Sequence, residues 1–319
     1  MAHSEIYDHL RAFDNQYVPF PPFVEASNAI KANLQLYKET GLARHMLVTG
    51  ESGTGKSSLC RWLSLEHPRR EQPDRDKVEV LITAVPPTAS VASVTVAMLK
   101  ALGDPYPERG TIAAMTNRVV TLCRSCGVCT VLLDEAQHLH DRGDTKTHYM
   151  VTDWLKSLID KLGVPTVLLG LPRVESLLLI NEQLRRRFSS RRQLILGQSG
   201  SQSAEQECYQ LFYSLASLIQ IPVTCQPYNA QEMGSRLYFG SGGRVAYIKK
   251  LLFAALQLAL EKGMDRIDPS VLEQAFTNDI WWEGVGSLNP FHPQFAFRSL
   301  DRGGEPFQIE QLRADRRHK

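Results

Sequence analysis

The sequence predicts an α/β fold in which a doubly wound parallel sheet binds a nucleotide and a small helical domain follows. Residues 50–57 fit the phosphate-binding pattern G-x-x-x-x-G-K-[ST], between a short apolar segment and a helical pattern. Apolar segments then alternate with amphipathic helical patterns as far as residue 196, beyond which only helical patterns occur. Such alternation places helices on both faces of a parallel sheet, with the nucleotide at the carboxyl edge of the strands.

The glycine-rich loop has the residue types that a phosphate site needs. Its three glycines tolerate positive φ and carry no Cβ, so the backbone wraps closely around an anion. Successive amides and the positive end of the following helix then face the phosphates. Lys56 is expected to reach the terminal phosphates, and the Ser57 hydroxyl to ligate Mg²⁺. The residues assigned to nucleotide binding in this loop are Gly50, Glu51, Ser52, Gly53, Thr54, Gly55, Lys56, Ser57 and Ser58.

An acidic pair follows the third predicted strand. Residues 128–133 form an almost unbroken apolar run, typical of a strand buried on both faces of a parallel sheet, and the run ends in Asp134 and Glu135. This is the Walker B pattern, in which the aspartate holds Mg²⁺ through water and the glutamate polarises the attacking water. The alternative is a strand that merely stops at an acidic turn, but its place after a phosphate loop favours catalysis. The predicted cofactors are therefore ATP and Mg²⁺.

The pattern of elements predicts four segments. Strands are expected at 46–48, 78–82, 128–133, 164–169 and 194–196. Helices are expected at 24–40, 88–102, 111–126, 148–162 and up to Phe188, and then at 204–219, 229–239, 245–262 and 269–278. Residues 1–45 are interpreted as an N-terminal extension and 46–200 as the nucleotide-binding domain. A polar Gly/Ser/Gln linker leads to a helical lid domain at 201–280, and 281–319 is a tail rich in Trp, Phe, Pro and Arg.

Composition limits the kinds of partner. The 319 residues are 43% hydrophobic and 22% charged with a net charge of +2, so nucleic-acid contact requires a local basic patch or its repetition around an oligomer. No apolar run approaches the roughly 20 residues of a membrane span, and the first residues lack the pattern of a secretion signal. We expect a cytoplasmic protein without a membrane partner.

Three cysteines lie close together in the sequence. Cys123, Cys126 and Cys129 have the C-x₂-C-x₂-C spacing of some zinc and iron–sulfur sites. No fourth cysteine is near, and the cluster straddles a helix end and a strand start, so the side chains should diverge. Reduced, buried thiols are the favoured interpretation.

The order of motifs resembles that of an AAA+ ATPase and, more specifically, the TniB/TnsC family of transposition regulators. The resemblance covers roughly residues 40–280, and its first two motifs are common to many ATPases. The segments that carry it are 50–57, 132–136, 164–170, 181–188, 243–244 and 267–272. It implies an AAA+ core with a C-terminal helical lid, found in bacteria.

The resemblance implies further residues of the nucleotide site. Arg187 matches the arginine that a neighbouring subunit supplies to the γ-phosphate, with Arg191 and Arg192 as alternates. Arg244 matches the lid arginine that reports the nucleotide state. One position departs from the family: a polar residue that senses the γ-phosphate is replaced by Leu171. Either Gln137 or another group orients the water, or hydrolysis is slow.

The resemblance also implies binding to double-stranded DNA. Relatives contact phosphates through residues between the second strand and the following helices, where this chain has Lys100, Arg109 and Thr111. The alternative for Thr111 is that it only caps its helix. No base-reading motif is visible, so binding should be independent of sequence and sensitive to salt.

The resemblance implies an ATP-dependent regulator that forms a ring or filament on target DNA and recruits or activates a DDE transposase of the TniA/TnsB type. A target-selection protein of the TniQ type is the other implied partner. The tail is either a segment that docks on the transposase or a simple packed extension. A helicase-loader or initiator ATPase, or a nucleotide-gated scaffold with little turnover, remains an alternative function.

Overall fold

The computed structural model describes residues 3–87, 89–139, 145–197 and 202–308. The chain forms two compact units, one of Pro22–Leu194 and the other of Met1–Pro21 together with Ile195–Lys319. The first unit is an α/β domain and the second is helical. The division into four segments stays a prediction.

The α/β unit is built on a parallel sheet of five strands in the order β2-β3-β4-β1-β5. The strands are β1 Met46–Thr49, β2 Val80–Ala84, β3 Thr130–Asp134, β4 Thr166–Gly170 and β5 Ser190–Gln193. Every residue of β1, β3 and β4 is buried, as their continuous apolar sequences predict. Because all five strands run parallel, the carboxyl ends of β1, β3 and β4 lie at the same edge of the sheet, where the phosphate loop begins.

Seven helices accompany the sheet in the described part of the chain. They are α2 Pro21–Thr40, α3 Lys56–Glu66, α4 Val91–Ala101, α5 Ile112–Ser125, α6 Thr145–Leu162, α7 Glu175–Ile180 and α8 Glu182–Arg187, with short 3-10 turns at Ala136–Leu139 and Pro172–Val174. Strand residues Leu47, Leu133 and Leu168 pack with helix residues Val119 and Leu155 in one apolar core. The predicted α/β class with a helical C-terminal region is confirmed.

The second unit consists of helices from both parts of the chain. They are α1 His3–Asp14, α9 Ala204–Ala216, α10 Ala230–Ser241, α11 Val245–Lys262 and α12 Pro269–Ala275, followed by a π-helical turn at Phe276–Ile280 and a 3-10 turn at Gly286–Leu288. Helix α1 packs on α11, where Lys249 Nζ donates to the carbonyl of Gln16 at 3.2 Å and to that of Asp14.

The described part of the tail packs within this unit. Arg236 of α10 is 1% exposed, and its guanidinium donates to the carbonyls of Pro290 at 2.7 Å and His292 at 2.9 Å. Its charge is matched by Glu232 at 2.8 Å and lies over the Tyr228 ring, 3.8 Å from the centroid. Up to residue 308 the tail is therefore a packed extension, and residues 309–319 lie outside the described part.

Helix α1 was not predicted, and two further elements differ from the sequence prediction. The fifth strand was expected at 194–196 but lies at Ser190–Gln193, a polar segment at the sheet edge. Leu194 and Leu196, which suggested the strand, are buried directly after it. Helix α2 begins at Pro21 rather than at residue 24. The amides of the first turn have no acceptor within a helix, so a proline there, which lacks an N–H, costs no hydrogen bond.

No helix among the described residues combines the length and apolarity that a membrane crossing requires.

Candidate nucleotide-binding and hydrolysis site

The phosphate loop joins β1 to α3 in a conformation that depends on glycine. Gly53 and Gly55 have φ of +80° and +96°, and Gly55 immediately precedes α3. A Cβ on Gly50 would lie 2.4 Å from Thr54 Oγ1, so the loop closes only around a bare glycine. The Gly50 amide donates to the carbonyl of Gly170 at 3.1 Å, which ties the loop to the end of β4.

Lys56 is buried at the first position of α3 and is 6% exposed. Its Nζ donates to the carbonyls of Gly50 at 2.7 Å and Glu51 at 2.9 Å, within the loop itself. Burial lowers the pKa of Lys56, whereas the charges of Glu135, Asp134 and Glu51 act in the opposite direction. The loop lysine and the acidic pair therefore share one electrostatic environment.

The acidic pair stands at the carboxyl end of β3. Asp134 is 7% exposed, and its Oδ1 accepts from the amide of Glu135 at 2.8 Å. Glu135 has φ of +55°, a left-handed conformation that is uncommon outside glycine and costs on the order of 1–3 kcal/mol. This backbone turn ends the strand, so the Glu135 side chain does not follow the alternation of side chains between the two faces of β3.

Gln137 connects this turn to β4. Its Oε1 accepts from the amide of Leu171 at 3.1 Å, and its Nε2 donates to Oε2 of Glu135. A Cβ on Gly170 would lie 2.8 Å from Gln137 Oε1. The sequence indicates Gln137 only as one possible substitute for a polar residue at position 171. In the structure Gln137 contacts both Leu171 and Glu135.

These residues fit Mg²⁺ and a nucleoside triphosphate. Gly53 and Gly55 adopt the positive φ of a phosphate-binding loop, and the buried ammonium of Lys56 is held by the carbonyls of Gly50 and Glu51. Asp134 supplies a carboxylate, the ligand type that Mg²⁺ prefers. Ser57, which directly follows Lys56, is exposed. Ser52 is exposed and Ser58 is half-buried.

Arg187 ends α8 and is paired with Asp160 of α6. Its Nη2 lies 2.9 Å from Oδ1 and 3.1 Å from Oδ2 of Asp160, and Nη1 donates to the carbonyl of Gln183 at 3.2 Å. The side chain retains 30% exposure. Of the alternates, Arg191 pairs with Glu175 at 2.8 Å.

His45 lies beside this pair, with its ring against Phe188. Burial lowers the pKa of His45 to about 4, and the charge of Arg187 acts in the same direction, whereas Asp160 opposes it. The neutral imidazole uses Nδ1 to accept from the amide of Thr166 at 3.2 Å, which links the start of β4 to this region.

Arg244 belongs to the helical unit and precedes α11. Its guanidinium carbon lies 5.7 Å from the ring centroid of Phe307 and 6.0 Å from that of Tyr247. The described contacts of Arg244 are thus with that unit.

The residues assigned to DNA lie around the loop between α4 and α5. Lys100 pairs with Glu108 at 3.0 Å, and Arg109 is exposed, with no partner for its guanidinium among the described residues. Thr111 caps α5 by accepting from the amide of Ala114 at 3.3 Å, in agreement with the capping role that its sequence position also allows.

Arg118 organises that loop and was missed by sequence reasoning. Its half-buried guanidinium donates to Asp104 Oδ2 at 2.5 Å and to the carbonyls of Tyr106 at 2.8 Å and Arg109 at 3.0 Å. A single arginine therefore fixes the main chain on both sides of the loop.

The three cysteines of the cluster are not brought together as a set of metal ligands in the described structure. In the described part of the chain no three histidine, cysteine or acidic side chains are grouped as metal ligands. Cys123 and Cys126 are buried, and burial raises the pKa of both thiols, that of Cys123 to about 12. The interpretation as reduced thiols stays a prediction.

A family model described as "Bacterial TniB protein" matches residues 12–194, more than half of the chain. The chain belongs to the TniB family. The match begins in α1 and ends one residue after β5, so it takes in both motifs of the nucleotide site. The resemblance inferred from the motifs is confirmed, and this TniB chain is an AAA+ transposition protein. No curated protein matches it.

Solved structures share the fold at low sequence identity. The Orc2 protein of Aeropyrum pernix, in ADPNP and ADP complexes, is similar with a TM-score of 0.61 and 14% identity over 84% of this chain and 71% of its own. Cdc6p of Pyrobaculum aerophilum has a TM-score of 0.60 and 14% identity over 83% and 69%. The Aeropyrum pernix Orc1 protein, solved in complex with DNA, has a TM-score of 0.59 and 15% identity over 83% and 68%. These likenesses show the AAA+ ATPase fold of this TniB chain.

Proposed function

We propose that this TniB chain is a Mg²⁺-dependent ATPase that assembles on duplex DNA and regulates a transposase. The observation that carries the proposal is a chain of hydrogen bonds from the glycine-dependent loop to the acidic pair. The Gly50 amide donates to the carbonyl of Gly170, at the end of β4. The next amide, that of Leu171, donates to Gln137, whose amino group donates to Glu135. Family membership supplies the transposition context.

The residues take distinct roles in hydrolysis. Loop amides and Lys56 bind the phosphates, and Ser57 with Asp134 holds Mg²⁺, which neutralises charge on the phosphates when bound. Glu135 accepts a proton from water as the water oxygen bonds to the γ-phosphorus and the bond to the β,γ-bridging oxygen breaks. ADP and inorganic phosphate are the products.

Arg187 is proposed to act on the nucleotide of a neighbouring subunit. A guanidinium supplied in trans stabilises transition-state charge only after assembly, so turnover is coupled to the ring or filament. Its partial exposure and its position at a helix end support this role. Arg244 is proposed to report the nucleotide state to the helical unit, as the resemblance implies.

DNA binding is proposed to occur through phosphate contacts from Lys100, Arg109 and Thr111. The guanidinium of Arg109, which has no partner among the described residues, supports this, as does the DNA complex of the similar Orc1 protein. With few basic groups on each subunit, affinity depends on repetition and falls with salt. A TniA/TnsB-type transposase and a TniQ-type protein are the proposed protein partners.

The decisive experiment measures ATP hydrolysis and DNA retention of Glu135→Gln. Loss of the proton acceptor should reduce kcat by about 10²–10⁴-fold, while ATP binding persists and the protein remains on DNA. Lys56→Ala is the matched control, because it should lose ATP binding and DNA retention together. Wild-type turnover in Glu135→Gln would remove Glu135 as the base.

A nucleotide-gated scaffold is the second candidate, favoured by the apolar side chain of Leu171 at a position that is polar in relatives. Wild-type protein that binds ATP but does not hydrolyse it, with or without duplex DNA, would support the scaffold.

A further inference from the structure

Gln137 is a buried polar side chain whose two ends have different partners. It lies in the turn that follows the acidic pair and is 2% exposed. Its carbonyl oxygen accepts from the Leu171 amide and its amino group donates to the Glu135 carboxylate. A main-chain N–H is always a donor, so the contact with Leu171 determines which end of the amide faces Glu135.

The surroundings are shaped to admit this side chain. At Gly170 a Cβ would lie 2.8 Å from the Gln137 oxygen and 3.1 Å from its main-chain nitrogen, so any larger residue would displace it. Glu135 has the left-handed backbone that turns its carboxylate out of the strand direction. A carboxylate on such a turn keeps several rotamers, and a hydrogen bond to a buried amide selects one of them.

We propose that Gln137 is the positioning residue for hydrolysis, holding the Glu135 carboxylate in the orientation in which it accepts the proton of the attacking water. The inference rests on the proposed role of Glu135 as the base. At the end of β4 the side chain of Leu171 is apolar, and its main-chain N–H already donates to Gln137. The polar side chain at this point of the site therefore comes from the turn after β3.

Two variants test separately the two hydrogen bonds of the Gln137 side-chain amide. Gln137→Met keeps the volume and removes both hydrogen bonds. Gln137→Glu keeps an oxygen for the Leu171 amide but places a second carboxylate against Glu135. Both variants should lower kcat by about 10–100-fold, the usual effect of misplacing a catalytic group, and leave the KM for ATP and the affinity for a non-hydrolysable ATP analogue within about twofold of wild type.

A readout that does not depend on catalysis tests the contact itself. In the nucleotide-free protein, hydrogen exchange of the Leu171 amide should be faster in Gln137→Met and remain protected in Gln137→Glu. Equal protection in Gln137→Met and wild type would overturn the proposal.

A double-mutant cycle shows whether Gln137 acts through Glu135. In the Glu135→Gln background, single-turnover hydrolysis should not slow further when Gln137→Met is added, since the group to be positioned is already gone. Additive losses would overturn the proposal, and so would a rise in kcat of Gln137→Met, because the amide would then restrain Glu135. Wild-type turnover in Glu135→Gln alone would instead refute the base assignment, whatever the exchange result.

Discussion

The guanidinium of Arg187 is held by its own chain. Asp160 contacts it through both carboxylate oxygens, and the Gln183 carbonyl accepts a further bond. A residue that acts on a neighbour's nucleotide must give up at least part of this pairing. Both side chains are partly exposed, so the pair contributes only about 0–1 kcal/mol, a small obstacle to release.

Asp160→Asn is expected to ease assembly. Without the competing carboxylate, the ATP concentration at half-maximal oligomer formation on DNA should fall by up to about fivefold, the equivalent of 1 kcal/mol. The measurement is an ATP titration of oligomer size by light scattering. Glu182→Gln is the matched control, because it removes the partner of the neighbouring Arg186 and should leave the midpoint unchanged. A midpoint in Asp160→Asn equal to that of wild type would show that the pair does not restrain Arg187.

At the scale of elements, the loop between α4 and α5 is an ordered structure whose main chain is bound by Arg118 of α5. Arg118 binds a carboxylate at its start and carbonyls further along it, and the Asp104 carboxylate also accepts from the Tyr106 amide at 2.8 Å. Tyr106 is exposed and Arg109 projects from the same loop. The proposed DNA contact therefore depends on a residue that need not touch DNA.

Arg118→Met is expected to loosen this loop. Three hydrogen bonds to a charged group are lost, each with a net contribution of about 1.5–3 kcal/mol when well formed. Hydrogen exchange across residues 104–110 should accelerate, and affinity for a random-sequence duplex should fall by about 3–10-fold, or 0.7–1.4 kcal/mol. Arg124→Met removes an equal charge from the same helix, and among the described residues the Arg124 guanidinium donates to the Lys161 carbonyl. Unchanged exchange in Arg118→Met would refute the role of Arg118, whereas faster exchange with full DNA affinity would refute the loop as the DNA contact.

At the scale of the whole molecule, the two compact units differ in how the sequence builds them. The α/β unit is one continuous stretch, whereas the helical unit joins the N-terminal helix to everything after residue 194. Within that unit, Arg236 holds the C-terminal segment through main-chain carbonyls rather than through apolar packing alone.

Arg236→Met should detach the C-terminal segment. Its removal leaves the carbonyls of Pro290 and His292 without their donor and Glu232 without its partner, a loss of about 3–5 kcal/mol for a buried charge network. Limited proteolysis should then cleave residues 289–308 early. Arg266→Met, which removes an exposed arginine 3.8 Å from Asp265, should leave the cleavage pattern as in wild type. Equal resistance in Arg236→Met would show that apolar burial of Phe291 and Phe307 suffices to hold the segment.

Local patterns predicted the sheet and the centre of the site. The phosphate loop and the acidic pair are short motifs whose spacing carries their chemistry, and the buried strands have continuous apolar sequences. The polar edge strand β5 has no apolar pattern, because its residues are mostly exposed. Helix α1 was hidden for a similar reason, since few of its positions are buried.

Contacts between residues that are far apart in the chain could not be predicted from the sequence. Gln137 and Leu171 are 34 positions apart and meet only because β3 and β4 are neighbours in the sheet. Arg118 looks like any exposed helical arginine until the loop folds back to it. Two of its three acceptors are main-chain carbonyls, which every residue has, so the amino-acid sequence cannot indicate them.

Because the helical unit is built from two separate stretches of the chain, it affects how the protein responds to cleavage of the polypeptide. The polypeptide passes from that unit into the α/β unit after residue 21 and returns after residue 194, so two peptide links join them. Cleavage of either link cuts the polypeptide into two fragments, which stay together through the noncovalent contacts of α1 with α11 inside the helical unit. A nicked molecule would keep its full mass in native mass spectrometry and separate into fragments only in denaturant, and a fragment that begins at residue 195 would lack the native helix α1.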